Sequence, residues 1–144
     1  MMQAIHPFLN EVVMSLNPTK VIIHAEKAPK AIGPYSLGTQ FGNLVFTAGL
    51  IATDPQTGNL VTGGIEAETR QTLTNLKNIL EAAGSGMDKV LKTTVFLQDI
   101  NEFGKMNAVY AEFFTENPPA RTTVQAAALP RGAKVEIEIF AFVD

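Results

Sequence analysis

The sequence predicts an α+β domain, a mixed β-sheet with two helices packed on one face. Three observations carry that expectation. The apolar pattern reads β-β-β-α-β-α-β-β, so helices do not alternate with strands as a doubly wound parallel sheet requires. Within the domain two segments have helical periodicity, and a mixed sheet with both on one face fits that order. Val95, Leu97, Val124 and Phe140 then put apolar side chains on the uncovered face. An exposed apolar face is an association surface, so an oligomer is expected.

Each element has a local reason. Residues 20–24 read as a short strand. Ala28-Pro29-Lys30-Ala31-Ile32-Gly33-Pro34-Tyr35 reads as a loop, because two prolines and a glycine interrupt any regular pattern. Strands at 36–41 and 44–51 follow, joined by Gly42-Asn43 as a tight hairpin turn. Asp54-Pro55-Gln56-Thr57-Gly58-Asn59 is a further turn. Ile65, Thr69, Leu73, Leu76, Leu80 and Ala83 make one apolar stripe over a helix at 65–83. Glu66 and Glu68 suit its first turn, and Gly84 stands where a helix ends. Residues 90–97, rich in Val and Thr, form a strand. A second helix is expected at 102–115, with Asn101 as N-cap and Phe103, Met106, Tyr110, Phe113 and Phe114 as its apolar stripe. Strands at 122–127 and 134–143 end the chain.

Length and composition limit the function. The 144 residues fit one domain, here 19–144, preceded by an extension at 1–18. Phe8, Leu9, Val12, Val13 and Leu16 could mark a short amphipathic helix in that extension. It lacks early basic residues and carries Glu11, so it reads as a loose extension or an upstream start, with Met14 as an alternative start, and not as a targeting peptide. The apolar runs are strand-sized, far short of a membrane span. With no cysteine there is neither a disulfide framework nor a thiolate nucleophile; this fits a reducing compartment, and a cytoplasmic location is expected. A net charge of −3 gives no general attraction for nucleic acid, so an anionic substrate needs a local cation. The two histidines, His6 and His24, support neither a catalytic triad nor a metal site. Gly84-Ser85-Gly86-Met87-Asp88-Lys89 lacks phosphate-loop spacing and follows a helix, so it reads as a turn. No cofactor signature is found, and none is expected to be needed.

Arg121 lies in Pro118-Pro119-Ala120-Arg121-Thr122-Thr123-Val124, where a two-proline turn enters a strand. A guanidinium at the mouth of a strand can grip a small carboxylate through two parallel hydrogen bonds. Glu136 follows in Lys134-Val135-Glu136-Ile137-Glu138-Ile139, where a carboxylate could manage a water or a proton. Alternation puts Glu136 and Glu138 on the face opposite Val135, Ile137 and Ile139. Periodicity selects no site and favours the plainer reading of two solvated glutamates; a surface ion pair with Arg121, a core Tyr35 and a solvent-facing Asn107 are the plain readings of the others.

Longer words in the chain do select a site. Ala31-Ile32-Gly33-Pro34-Tyr35-Ser36, Thr47-Ala48-Gly49, Gln71-Thr72-Leu73-Thr74-Asn75-Leu76, Lys92-Thr93-Thr94-Val95-Phe96-Leu97, Asn107-Ala108-Val109-Tyr110, Pro119-Ala120-Arg121 and Val135-Glu136-Ile137-Glu138 occur in series. Over residues 20–144 the chain closely resembles the RidA family of reactive enamine/imine deaminases. The resemblance implies a chorismate-mutase-like α+β fold and a homotrimer with clefts between neighbouring subunits. It implies hydrolysis of 2-imino acids, formed from 2-aminoacrylate or 2-aminocrotonate, to 2-oxo acids and ammonia without a cofactor. By the same resemblance Arg121 grips the substrate carboxylate and Glu136 serves the attacking water. Tyr35, Gly49 through its N–H, Asn107, and Thr123 through its carbonyl line the cleft. Ala48 stands where serine is common, Leu50 where glutamine is common, and Thr123 where cysteine is frequent. The competing readings are a non-catalytic small-acid-binding or chaperone-like module, and a ribonuclease or translation inhibitor.

Overall fold

The computed structural model describes residues 18–144. The expectations for 1–17 lie outside the described residues. Six strands form one mixed sheet: β1 (Val21–Ile23), β2 (Gly38–Phe41), β3 (Leu44–Thr47), β4 (Val90–Leu97), β5 (Ala120–Gln125) and β6 (Val135–Phe142). Helix α1 (Gly64–Ala82) joins β3 to β4, and α2 (Phe103–Phe113) joins β4 to β5. The sheet order is β1-β2-β3-β6-β4-β5, with β4 and β5 parallel and every other pair antiparallel. This is the expected α+β architecture. Among the described residues no helix is long and apolar enough to cross a membrane.

The core lies between the sheet and α1. Leu73, Leu76, Ile79 and Leu80 are fully buried and belong to one apolar cluster with Val45, Val95, Ile137 and Ile139. Burying each such side chain contributes roughly 1.5–3 kcal/mol. Most polar groups inside this layer are paired, the Thr72 hydroxyl being an exception among the described residues. Asn75 donates to Thr53 O (2.8 Å) and accepts from Gln71 (2.8 Å). Thr47 Oγ1 accepts from Ile139 N (2.9 Å), and buried Glu68 accepts from Lys134 N (3.0 Å).

The ends of the elements follow their sequence cues, with two exceptions. Gly42 takes φ +59° in the two-residue β2–β3 loop, which glycine does at no steric cost. Helix α1 closes through Gly84, at φ +80°, with Gly84 N bonded to Glu81 O and Ser85 N to Leu80 O. The first exception is Asn101, which does not cap α2. A short 3-10 turn (Ile100–Glu102) precedes the helix, and Asp99 caps that turn by accepting from Asn101 N. The second is β3, which ends at Thr47. The chain kinks at Ala48-Gly49 and rejoins the sheet at Leu50, opposite Ile137.

Val95 and Leu97 are not on the open face. They pair with Ile137 and Val135 and are fully buried on the helix side. Alternation in β4 was legible but its phase was not, because a threonine, Thr93, takes the buried place expected of an aliphatic residue. The open face is apolar through other residues. Ile22, Phe41, Leu44, Phe140 and Val124 are exposed there, and Phe46 packs edge-on against Phe140 (5.3 Å between centroids).

A Cβ at Gly84 would meet nothing within 4 Å, so the helix stop rests on backbone freedom alone. Gly84→Ala is therefore expected to lower unfolding free energy by about 1 kcal/mol, read from urea melts, with the same slope as the parent.

Candidate functional site

Two clefts carry the residues expected to act, except Thr123, which lines neither. The first, of about 350 Å³, is lined by Lys30, Tyr35, Gly49, Leu50, Ile51 and Glu136 among others. The second, of about 520 Å³, is lined by Asn107, Tyr110, Phe114, Pro118, Pro119 and Arg121 among others. The structure thus groups Tyr35, Gly49 and Glu136, and separately groups Asn107 and Arg121.

Strand register explains the split. Arg121 is level with Thr93, whose side chain is buried under α2. Its guanidinium accordingly rises on the helix side, over the rings of Tyr110 and Phe103. Glu136 lies between buried Val135 and Ile137, so it points from the opposite face. Strand β4 stands between β5 and β6. In one protomer the guanidinium and the carboxylate therefore sit on opposite sides of the sheet and do not pair.

Glu136 is half-buried, and its carboxylate makes no hydrogen bond or ion pair among the described residues. Burial, and then the negative charge of Glu138 on the same face, push its pKa above the ordinary 4.5. It lies against Gly49. A Cβ there would overlap Glu136 Oε1 and stand 3.0 Å from Cδ, so glycine leaves the space that the carboxylate uses. The N–H groups of Ala48 and Leu50 bond to Leu37 O (2.8 Å) and Ile137 O (2.9 Å). Gly49 N–H makes no such bond among the described residues and is left to a ligand or water. Tyr35 is exposed at the rim, and its hydroxyl accepts from Ile32 N (3.3 Å), which fixes the loop carrying it.

In the other cleft Arg121 also makes no ion pair among the described residues. Asn107 and Tyr110, three residues apart on α2, face it together. Thr123 lies on the helix side of β5, level with Val95, and its hydroxyl is buried without a partner among the described residues. Among those residues, no group of three His, Asp or Glu is placed to hold a metal ion.

Sequence reasoning missed Tyr110 as part of this site. It read the ring as core stripe, although its spacing from Asn107 carried the signal. It also missed Lys30, since nothing in a loop of that composition marks which side chains turn inward.

The fold and these clefts define a class: a small α+β protein whose concave sites pair an unneutralised cation on one face with an unpaired carboxylate on the other. A family model described as endoribonuclease L-PSP matches residues 25–143. A RutC family protein of Pyrococcus horikoshii is 51% identical over 125 residues, covering 87% of this chain and 99% of that protein. A mouse protein named 2-iminobutanoate/2-iminopropanoate deaminase is 48% identical over 120 residues, covering 83% and 89%. The crystal structure of E. coli TdcF with bound serine has a TM-score of 0.82 at 41% identity, covering 86% of this chain and 99% of that one. The chain belongs to the endoribonuclease L-PSP family, which includes the RidA deaminases.

The raised Glu136 pKa has a sign. Between the unfolded and folded values the native state holds the extra proton, so stability falls as pH rises through that window and stays lowered above it. Glu136→Gln is therefore expected to melt higher than the parent at pH 7 and to lose that advantage near pH 4, by scanning calorimetry at both pH values. Gly49→Ala is expected to displace the Glu136 carboxylate, seen as an altered Glu136 pKa by NMR titration.

Proposed function

We propose that the protein hydrolyses reactive 2-imino acids to 2-oxo acids and ammonia, in sites built from two copies of the chain. The observation that carries this is the pair of incomplete half-sites. Arg121 offers an unneutralised fork on one face, and Glu136 an unpaired, half-buried carboxylate on the other. Neither cleft alone holds both the guanidinium of Arg121 and the carboxylate of Glu136. The open sheet face, with exposed Phe41, Leu44, Val124 and Phe140, supports association. Joining two different surfaces is the head-to-tail contact that closes into rings, and the family resemblance puts the ring at three. The names of the mouse and human relatives, at 48% and 46% identity, support the deaminase reading.

The chemistry follows from the residues. Arg121 takes the substrate carboxylate; charge-assisted bonds of roughly 1.5–3 kcal/mol each outweigh any other contact so small a molecule makes. Leu37, Leu50 and Ile51 give the Glu136 cleft an apolar wall that suits a short aliphatic side chain on the imine. Water attacks the carbon of the protonated imine. As the C–O bond forms, Glu136 accepts one water proton, leaving a neutral carbinolamine. Glu136 returns that proton to the amino nitrogen, and the C–N bond breaks as the C=O bond closes. The hydroxyl proton leaves with the ammonia, so iminium and water become 2-oxo acid and ammonium. A glutamate with a raised pKa is a stronger base for the first step and still a competent acid for the second. Tyr35, Gly49 N–H and Asn107 line the site, and the Thr123 carbonyl is assigned to the imine or water. None of these steps calls for a cofactor.

A non-catalytic small-acid binder shares the anchor but not the turnover. The test is loss of the transient imine generated by a threonine dehydratase, read by semicarbazide trapping. The ribonuclease reading has less support, since neither cleft is lined by a histidine for acid–base chemistry.

Arg121→Ala and Arg121→Lys are both expected to lose more than about 100-fold in kcat/KM while keeping the fold, because lysine lacks the planar fork. Glu136→Gln is expected to bind 2-oxobutanoate and turn over slowly. Co-refolding Arg121→Ala with Glu136→Gln in equal amounts should restore about a quarter of the parent activity, the fraction of sites that draw both intact residues from different chains. No recovery would mean that both groups act within one chain.

A further inference from the structure

Arg121 is an unpaired cation on an edge strand, and a free arginine there would sample many rotamers. Its surroundings restrict it. The guanidinium carbon lies 4.6 Å from the centroid of Tyr110 and 5.4 Å from that of Phe103. Phe103 is exposed, whereas Tyr110 is buried, so Tyr110 is the firmer platform. The Tyr110 ring is itself held at both ends. Its hydroxyl lies 2.7 Å from Thr93 Oγ1, with both groups buried, and its body packs on Phe114 at 4.6 Å. Thr93 is the β4 residue directly opposite Arg121. The contacts therefore close a loop from β4 through Thr93, Tyr110 and the guanidinium back to β5.

We propose that Tyr110, locked by Thr93, is a positioning residue that orders Arg121 for its ligand without neutralising it. This rests on the reading above, in which Arg121 binds the substrate carboxylate. The physical reason lies in how a guanidinium divides its contacts. Stacking uses its face, while hydrogen bonding to a carboxylate uses its edge. An Asp or Glu beside Arg121 would hold it equally still but would occupy the fork. An aromatic ring holds the cation and, even with a donor turned towards the Tyr110 hydroxyl, leaves most of the fork free. The hydroxyl matters because its bond to Thr93 sets the ring plane that the guanidinium must match. Burial raises the Tyr110 pKa, while the Thr93 bond, the Arg121 charge and a hydrogen-bonding approach of Arg121 to the hydroxyl pull it back only in part, so the phenol stays neutral and does not capture the cation as an ion pair.

The test uses the intact protein with Tyr110→Leu, Tyr110→Phe and Thr93→Val, and 2-oxobutanoate as the probe. In the parent, the Arg121 δ-methylene protons should show an upfield ring-current shift by NMR. Tyr110→Leu should abolish that shift and raise both the Kd for 2-oxobutanoate and the KM for the imine about tenfold, with kcat changed far less. Tyr110→Phe keeps the stack and should retain the shift, with a Kd within about threefold of the parent. A purely structural role would instead lower Tm in step with activity and would not separate KM from kcat. Parent-like 2-oxobutanoate binding by folded Tyr110→Leu overturns the proposal. Should that variant fail to fold, Thr93→Val decides: a weakened ring-current shift with a raised Kd supports the proposal, and no change in either overturns it. Arg121→Ala is the separate control. If it binds 2-oxobutanoate like the parent, the carboxylate reading itself falls; if it does not, a normal Tyr110→Leu result counts against the positioning role alone.

Discussion

The pleat of the sheet governs where this protein can do chemistry. In β6 alternate residues face opposite ways, so one strand supplies Val135, Ile137, Ile139 and Ala141 to the core and Glu136 and Glu138 to the other side. The carboxylate is thereby mounted on a central strand, paired on both edges by β3 and β4. The same alternation, passed through β4 to β5, turns Arg121 towards the helices. No rotamer change in a single chain brings the two together, because a packed strand stands between them. Under the function proposed above, a second copy would complete the site, and the open apolar face offers a surface on which one could pack.

Ion pairs form elsewhere on the described surface, away from Arg121 and Glu136. Lys89 binds Asp144 at 2.6 Å, Arg70 binds Glu112 at 2.9 Å, and Lys134 approaches Glu102 at 3.6 Å. Arg121 and Glu136, like several other charged residues, have no such partner among the described residues. A half-buried carboxylate with no counter-charge costs stability, and the Glu136 cleft keeps it beside a second negative residue, Glu138. Arg121 is steadied by rings instead of by an acid. Both choices preserve hydrogen-bonding capacity for a ligand at some expense to the folded state, the usual signature of a binding site.

Much of the fold was legible because its signals are local. The α1 stripe, the Gly84 stop, the Gly42-Asn43 hairpin and the run of β6 each depend on residues within one or two turns of the chain. The misreadings came where a choice was non-local. Asp99, not Asn101, caps the approach to α2, because an intervening 3-10 turn shifted the register by a few residues. Thr93 took a core position in β4 because Tyr110, far along the chain, offered its hydroxyl a partner. Val95 and Leu97 share the helix side with Thr93, as alternation along the strand requires. Within the site, Arg121 and Glu136 were visible as residues, but periodicity selected no site and favoured solvated surface groups.

The sequence by itself determined the element order, the α+β class, the absence of thiol chemistry and, through its series of motifs, the family. Those properties reside in composition and short-range pattern. Only the tertiary structure decided which face each functional group occupies, that Gly49 yields its side-chain space to Glu136, and that Tyr110 lies beneath Arg121. These depend on strand register and on contacts between distant segments, which a pattern along one chain does not encode.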